Sequence, residues 1–136
     1  MNSDLHGGLV ILDAEGLSRA ITRDPYMRFI FSDAHNNGVP IIISAVTLVE
    51  VIHPKINHAA LSWTLSLIRV EPVTKQLSLA ATNLLQIAGK HGHTHALDAI
   101  VCATALASEG HATIFTSDPT DIEALVARRA TVVPLH

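Results

Sequence analysis

Four carboxylates, Asp13, Glu50, Asp98 and Asp118, each stand where a mostly apolar segment ends or is interrupted. A buried charge is costly unless it is paired or bound to a metal, so carboxylates set against buried elements call for a partner. Gathered in one crevice they would repel one another by roughly 4 kcal/mol per pair at about 4 Å and an effective dielectric of about 20. A shared divalent cation removes that cost. Oxygen-only ligands favour Mg²⁺ or Mn²⁺, which keep several waters and bind substrate phosphates. Such a metal lowers the pKa of a bound water and stabilises the charge that develops during in-line attack on a phosphodiester, which is nuclease chemistry. Thr47, one helical turn before Glu50, and Thr116, just before Asp118, are the polar residues placed to orient the metal or its water.

Each acidic residue also has a structural account. Asp118-Pro119 reads as a helix start, with Asp as N-cap, Pro at the first helical position and Asp121 in the first turn. Asp98 reads as a first-turn carboxylate in a box capped by His95 or Thr94. Asp13 terminates a strand, and Glu50 could lie on a surface, although Val49, Val51 and Ile52 leave it little polar face.

The elements that must position these residues follow from periodicity. Short β-rich runs alternate with helical stretches, the pattern of parallel strands joined by crossover helices. Strands are expected at about 9–13, 40–45, 68–73, 112–117 and 131–135, and helices at about 14–23, 25–36, 46–53, 57–67, 74–91, 95–109 and 119–129. Asn36-Asn37-Gly38 should end the second helix, and Gly89 and Gly92 should frame the end of the fifth. The first, second and fourth strands are near-continuous apolar runs, as in strands covered on both faces. The third and fifth contain Pro72 and Pro134, which suit edges. The expected fold is therefore a three-layer α/β/α sandwich of one domain, residues 1–136, with a five-stranded parallel sheet in the order 3-2-1-4-5. In that order the strand sequence reverses between strands 1 and 4, so Asp13 and Asp118 become neighbours at the carboxyl ends of the strands. Glu50 and Asp98 can face the same crevice from their helices.

Four stretches carry a family resemblance: LDAEGLSRA with Asp13, VTLVEVI with Glu50, ALDAIVCATAL with Asp98, and TSDPTDIEAL with Asp118 and Asp121. Together they resemble a PIN domain, specifically a VapC-type toxin ribonuclease of a toxin–antitoxin pair, over nearly the whole chain. The resemblance implies a Mg²⁺- or Mn²⁺-dependent endoribonuclease that hydrolyses RNA with metal-activated water. It also implies a homodimer, and neutralisation by a cognate antitoxin that covers the active site. The family's acidic positions fall on Asp13, Glu50, Asp98 and Asp118, with Asp121 as an accessory. Glu15 departs from relatives that carry a small or hydroxyl residue there, and either extends the acidic site or points to solvent.

Composition bounds the alternatives. The 136 residues are 49% hydrophobic, and Pro40, Ser44, Thr47 and Glu50 break the longest apolar stretch, so no membrane span is expected. The N-terminus MNSDLHGG lacks the basic and apolar regions of a secretory signal, which points to the cytoplasm. Cys102, the sole cysteine, reads as a small buried hydrophobe. A net charge of −3 excludes binding to nucleic acid through an overall basic field, so phosphate contacts would be local, near Arg19, Arg23, Arg28 and Lys90 if not on solvated helix faces. His91, His93 and His95 alternate beside Asp98; they read as a loop rather than a zinc site, with a role in RNA binding when protonated left open. The helices at 25–36 and 57–67 carry Phe29, Ile30, Phe31, Leu61, Trp63, Leu65 and Leu67, more than one core-facing stripe requires, so some should cover a partner. Two rival functions are a binding-only module of the same fold and a haloacid-dehalogenase-type phosphatase with Asp13 as nucleophile. The phosphatase would need an aspartate where Glu15 stands and a lysine before the last motif.

Overall fold

The structure, a computed structural model, describes residues 8–136, so the reading of the first seven residues lies outside it. Five strands, β1 (Leu9–Leu12), β2 (Ile41–Ser44), β3 (Arg69–Glu71), β4 (Ala112–Thr116) and β5 (Thr131–Pro134), form one parallel sheet. Their order is β3-β2-β1-β4-β5, as the apolar runs and the placement of proline require. Every residue of β1, β2 and β4 is buried, whereas the edge strands β3 and β5 are partly or fully exposed. Pro134 lies in β5 at the open edge, while Pro72 falls just past the end of β3 and takes no place in the ladder.

Side chains alternate across a strand, so the apolar runs feed two cores at once. Leu9, Ile11, Ile42 and Ile114 face one layer, made by α5 (Lys75–Ala88), α6 (Gly92–Ala107) and α7 (Pro119–Val126). Val10, Leu12, Ile41, Ile43 and Phe115 face the other, made by α1 (Ala14–Ile21), α2 (Pro25–Asn36), α3 (Ala45–Val51) and α4 (His58–Leu65). Ile11 and Ile114 are register partners in the middle of the sheet and fully buried, and shortening either to Ala would cost about 2–5 kcal/mol.

Helix starts follow from local chemistry. Asp24, Asn57 and Thr74 each accept a hydrogen bond from the backbone N–H three residues on, at 3.0, 3.0 and 3.1 Å, and each such cap contributes about 1 kcal/mol. Gly38 just beyond α2 and Gly89 at the end of α5 adopt φ of 65° and 68°, the left-handed conformation that lets the chain leave a helix.

Three expectations need correction. Gly92 does not help to end α5, because Gly89 alone turns the chain; Gly92 is instead the first residue of α6, close against Leu85. The sixth helix consequently starts three residues before its expected onset and kinks at His95, whose φ and ψ are −124° and 16°. The segment around Glu50 is also less buried than its composition implied: Val49 is 80% exposed and Ile52 is half-exposed, so the outer face of α3 is apolar but open to solvent. On α2 and α4, Ile30 and Leu61 are buried while Phe29 and Trp63 are exposed, as is Leu67 just past the end of α4, which matches the excess of large apolar side chains there.

Candidate active site

Asp13 ends β1 and caps α1, and its carboxylate is held at both oxygens. Oδ1 accepts from Gly16 N at 2.9 Å, and Oδ2 accepts from Ser117 N at 2.9 Å. Its own N–H donates to the Phe115 carbonyl at 3.2 Å. Gly16 suits this turn because a Cβ there would lie 3.1 Å from Leu12 Cβ. Two amides, one local and one from the far side of the β1–β4 pair, thus fix the carboxylate at the strand ends.

Asp118 reaches the same place from β4. The Thr116 hydroxyl accepts from Asp118 N at 2.9 Å, and the Thr116 carbonyl accepts from Leu135 N at 2.7 Å, so β5 and a side-chain turn hold the segment. Asp118 occupies the N-cap position of α7, but its carboxylate makes no capping hydrogen bond. The capping role drawn from Asp-Pro therefore describes its position and not its side chain.

Asp98 stands three residues after the kink at His95, in the first turn of the second segment of α6 as expected, but no capping box forms, since neither His95 nor Thr94 caps by a side-chain bond. The Thr94 hydroxyl donates instead to the His91 carbonyl at 3.3 Å. The Asp98 carboxyl is pushed up to about 6, first by burial, then by the charges of Asp118 and Asp121, with Asp13 adding to them and His95 opposing. Glu50 is likewise raised, by burial and then by Asp13 and Asp98. Its side chain is largely solvent-exposed, so the repulsion from Asp13 and Asp98 is the part of that shift that bears on the site. The five expected carboxylates share one electrostatic neighbourhood.

Asp121 sits in the first turn of α7, where its charge suits the helix dipole. Its Oδ1 accepts from Lys90 Nζ at 3.2 Å, and its Oδ2 lies 3.8 Å from His95 Nδ1. Thr47 is fully buried on α3, one turn before Glu50, and its hydroxyl is the single buried side-chain N or O atom without a hydrogen-bond partner among the described residues. An unsatisfied buried hydroxyl costs about 1–3 kcal/mol, which a site completed by a bound ion and its waters would recover. Mutually repelling oxygen donors fit a hard divalent cation.

Other residues take roles that the sequence left open. Glu15 turns away to Arg19 in an (i, i+4) ion pair at 2.9 Å, and the same guanidinium donates to the His136 carbonyl. Arg19 and Lys90 are therefore committed within the chain and are not poised for RNA phosphates. His95 stands at the kink of α6 and not in an open loop: its Nδ1 lies 3.9 Å from Asp98 Oδ2, and one ligand atom from each of His95, Asp98 and Asp121 falls within 4.8 Å of the others. The signal for it was spacing, since a histidine three residues before an aspartate on one helix shares its face. The Ser117 amide, by contrast, left no mark in the sequence. Cys102 is buried as expected, with its thiol pushed up to about 12 by burial and then by Asp98.

No helix among the described residues is long and apolar enough to cross a membrane. No protein-family model matches the chain, and no curated protein matches it. The fold is similar to that of a chain in the crystal structure of VapBC2 from Rickettsia felis bound to a DNA fragment from their promoter. The two are 17% identical, with a TM-score of 0.66, over 94% of this chain and 99% of that one. The chain thus has the architecture expected of it, a five-stranded parallel sheet between helical layers, shared nearly end to end with that VapBC2 chain.

Proposed function

We propose that this protein is a Mg²⁺- or Mn²⁺-dependent endoribonuclease, the toxin of a toxin–antitoxin pair acting in the cytoplasm. The observation that carries the reading is electrostatic. Asp98 is raised to about 6 by burial first and then by the charges of Asp118, Asp121 and Asp13, and Glu50 is raised by burial and then by Asp13 and Asp98. Such mutual repulsion destabilises a fold unless a cation relieves it. Asp13, Glu50, Asp98 and Asp118 would hold the metal, with Asp121 as accessory; bound there, it would supply Lewis acidity and an activated water for attack on phosphorus.

The chain's own residues do the positioning. The Gly16 and Ser117 amides lock the Asp13 carboxylate, and the Thr116 hydroxyl fixes the backbone of Asp118 while leaving its carboxylate uncommitted. The Thr47 hydroxyl has a proton to give and no internal acceptor for it. Preorganised groups of this kind avoid reorganisation during reaction.

The partner reading rests on the groove between α2 and α4. It has a volume of about 340 Å³, is lined in part by Met27, Phe31, Trp63 and Leu67, and carries Arg23 and Arg28 at its side. An apolar segment bearing acidic residues, as from an antitoxin, suits that lining; a second copy of the chain is the other occupant in keeping with the exposed Phe29, Trp63 and Leu67. Similarity to a chain of a VapBC2 structure supports the antitoxin. The phosphatase alternative loses ground because Glu15, the residue two after Asp13, pairs with Arg19.

Cleavage of a panel of structured and single-stranded RNAs, with Mg²⁺, Mn²⁺ or EDTA, tests the function. Cleavage should require the cation and disappear in Asp13→Asn, Asp98→Asn and Asp118→Asn. Cation binding without cleavage of any RNA would favour a binding-only module, and cleavage indifferent to EDTA would end the metal reading.

A further inference from the structure

We propose that His95 joins Asp98 and Asp121 as a metal ligand and gives the site a preference for Mn²⁺ over Mg²⁺, an inference that rests on the metal reading above. Three residues from two helices converge here. His95 and Asp98 share a face of α6, and Asp121 is brought to them by the first turn of α7. The His95 Nδ1 atom stands 3.9 Å from Asp98 Oδ2 and 3.8 Å from Asp121 Oδ2. These gaps are too long for hydrogen bonds. They fall between the roughly 3.0 Å that separates adjacent ligands and the roughly 4.2 Å that separates opposite ligands around an ion with bonds of about 2.1 Å.

The surroundings leave those atoms available. Lys90 occupies the other oxygen of Asp121, so Oδ2 remains turned toward the imidazole. All three side chains are half-buried, which limits competition from bulk water, whereas His91 and His93 are exposed and belong to no such group among the described residues.

Ligand chemistry supplies the selectivity. Mg²⁺ demands oxygen donors and keeps its waters, while imidazole nitrogen suits first-row transition metals. A site of carboxylates alone would distinguish Mg²⁺ from Mn²⁺ weakly; one nitrogen changes that balance. The competing role for His95 is that of a cation which, when protonated, offsets the acidic cluster together with Lys90. A cation of that kind opposes either metal, so its removal would affect both alike.

Calorimetric titrations of the full chain with MnCl₂ and with MgCl₂, slightly above neutral pH, separate the two roles in wild type, His95→Gln and Asp118→Asn. Wild type should bind Mn²⁺ more tightly than Mg²⁺. His95→Gln should lose about tenfold or more in Mn²⁺ affinity and keep its Mg²⁺ affinity. Pulsed electron paramagnetic resonance of the wild-type Mn²⁺ complex should show coupling to an imidazole nitrogen, a readout that needs no variant, and His95→Gln should abolish it. Absence of that coupling, or equal changes for the two metals in His95→Gln, overturns the inference. If Asp118→Asn still weakens both metals, the shared-metal reading survives its failure; if wild type binds neither metal, both fall together.

Discussion

Replacing Asp98 by Asn should stabilise the metal-free protein, and the gain should depend on pH in a defined direction. In the fold the Asp98 carboxyl titrates at about 6, against an ordinary value of 3.8, because of burial and then the charges of Asp118, Asp121 and Asp13. That rise corresponds to roughly 3 kcal/mol. The side chain is 24% exposed and screened by solvent, so about 1–2 kcal/mol is the expected effect. A carboxyl raised in the fold binds its proton more tightly there than in the unfolded chain. Its contribution is therefore fully present below the unfolded value of 3.8 and is lost as pH rises through about 6. Asn escapes that loss. Above neutral pH in EDTA the variant should melt roughly 3–8 °C higher than wild type, and the difference should vanish as pH falls toward the unfolded value. Excess Mg²⁺ or Mn²⁺ should reverse the order, since wild type gains about 2.7 kcal/mol at a hundred times Kd and the variant gains less. Were Asp98 a helix cap, Asn would serve about as well, within a few tenths of a kcal/mol under all conditions. Parallel melting shifts with and without metal, or a variant less stable than wild type in EDTA at high pH, would refute the reasoning.

Asp13→Ala should have the opposite sign: it leaves the Gly16 and Ser117 amides without their acceptor and should cost about 2–3 kcal/mol in urea unfolding with metal absent. A neutral change there would mean that neither bond holds the strand ends. Thr47→Val removes a buried hydroxyl that has no partner, so the metal-free protein should gain up to about 1 kcal/mol while metal affinity, read by calorimetry, falls. A loss of stability in EDTA would show that the hydroxyl is satisfied internally. Trp63→Ser should change stability by no more than about 0.5 kcal/mol, because the ring is 61% exposed, yet weaken self-association or capture of the antitoxin in sedimentation. Wild type that sediments as a monomer, with or without an antitoxin, would remove the groove's role.

The fold was legible because each strand announces itself locally. Leu9-Val10-Ile11-Leu12 and Ala112-Thr113-Ile114-Phe115-Thr116 are buried on both faces and so are free of charge, and Pro134 marks the less buried edge strand β5. The carboxylate neighbourhood was legible by the same route, because strand order alone sets Asp13 beside Asp118. What escaped depends on side-chain choices among near-equal options. Thr116, not Asp118, supplies the side-chain acceptor at the start of α7, so Asp-Pro marked the right place with the wrong partner. Lys90 could meet solvent, RNA or Asp121, and only packing decides for Asp121. The residues from Gly92 to Thr94 were left out of the sixth helix because Gly89 and Gly92 looked like one terminator, whereas the left-handed turn at Gly89 completes the stop and frees the next residues for helix.

The bond from Ser117 to Asp13 ties residues 104 positions apart. During synthesis at about 5–20 residues per second, Asp13 waits roughly 5–20 s before its second donor exists. Over that interval β1 lacks β4 as its neighbour, and Asp118 has yet to be made. A nascent chain thus holds Asp13 and Glu50 with neither the lock nor the opposing carboxylates. Whatever depends on the complete cluster is therefore withheld from the nascent chain until β4 and Asp118 have been made.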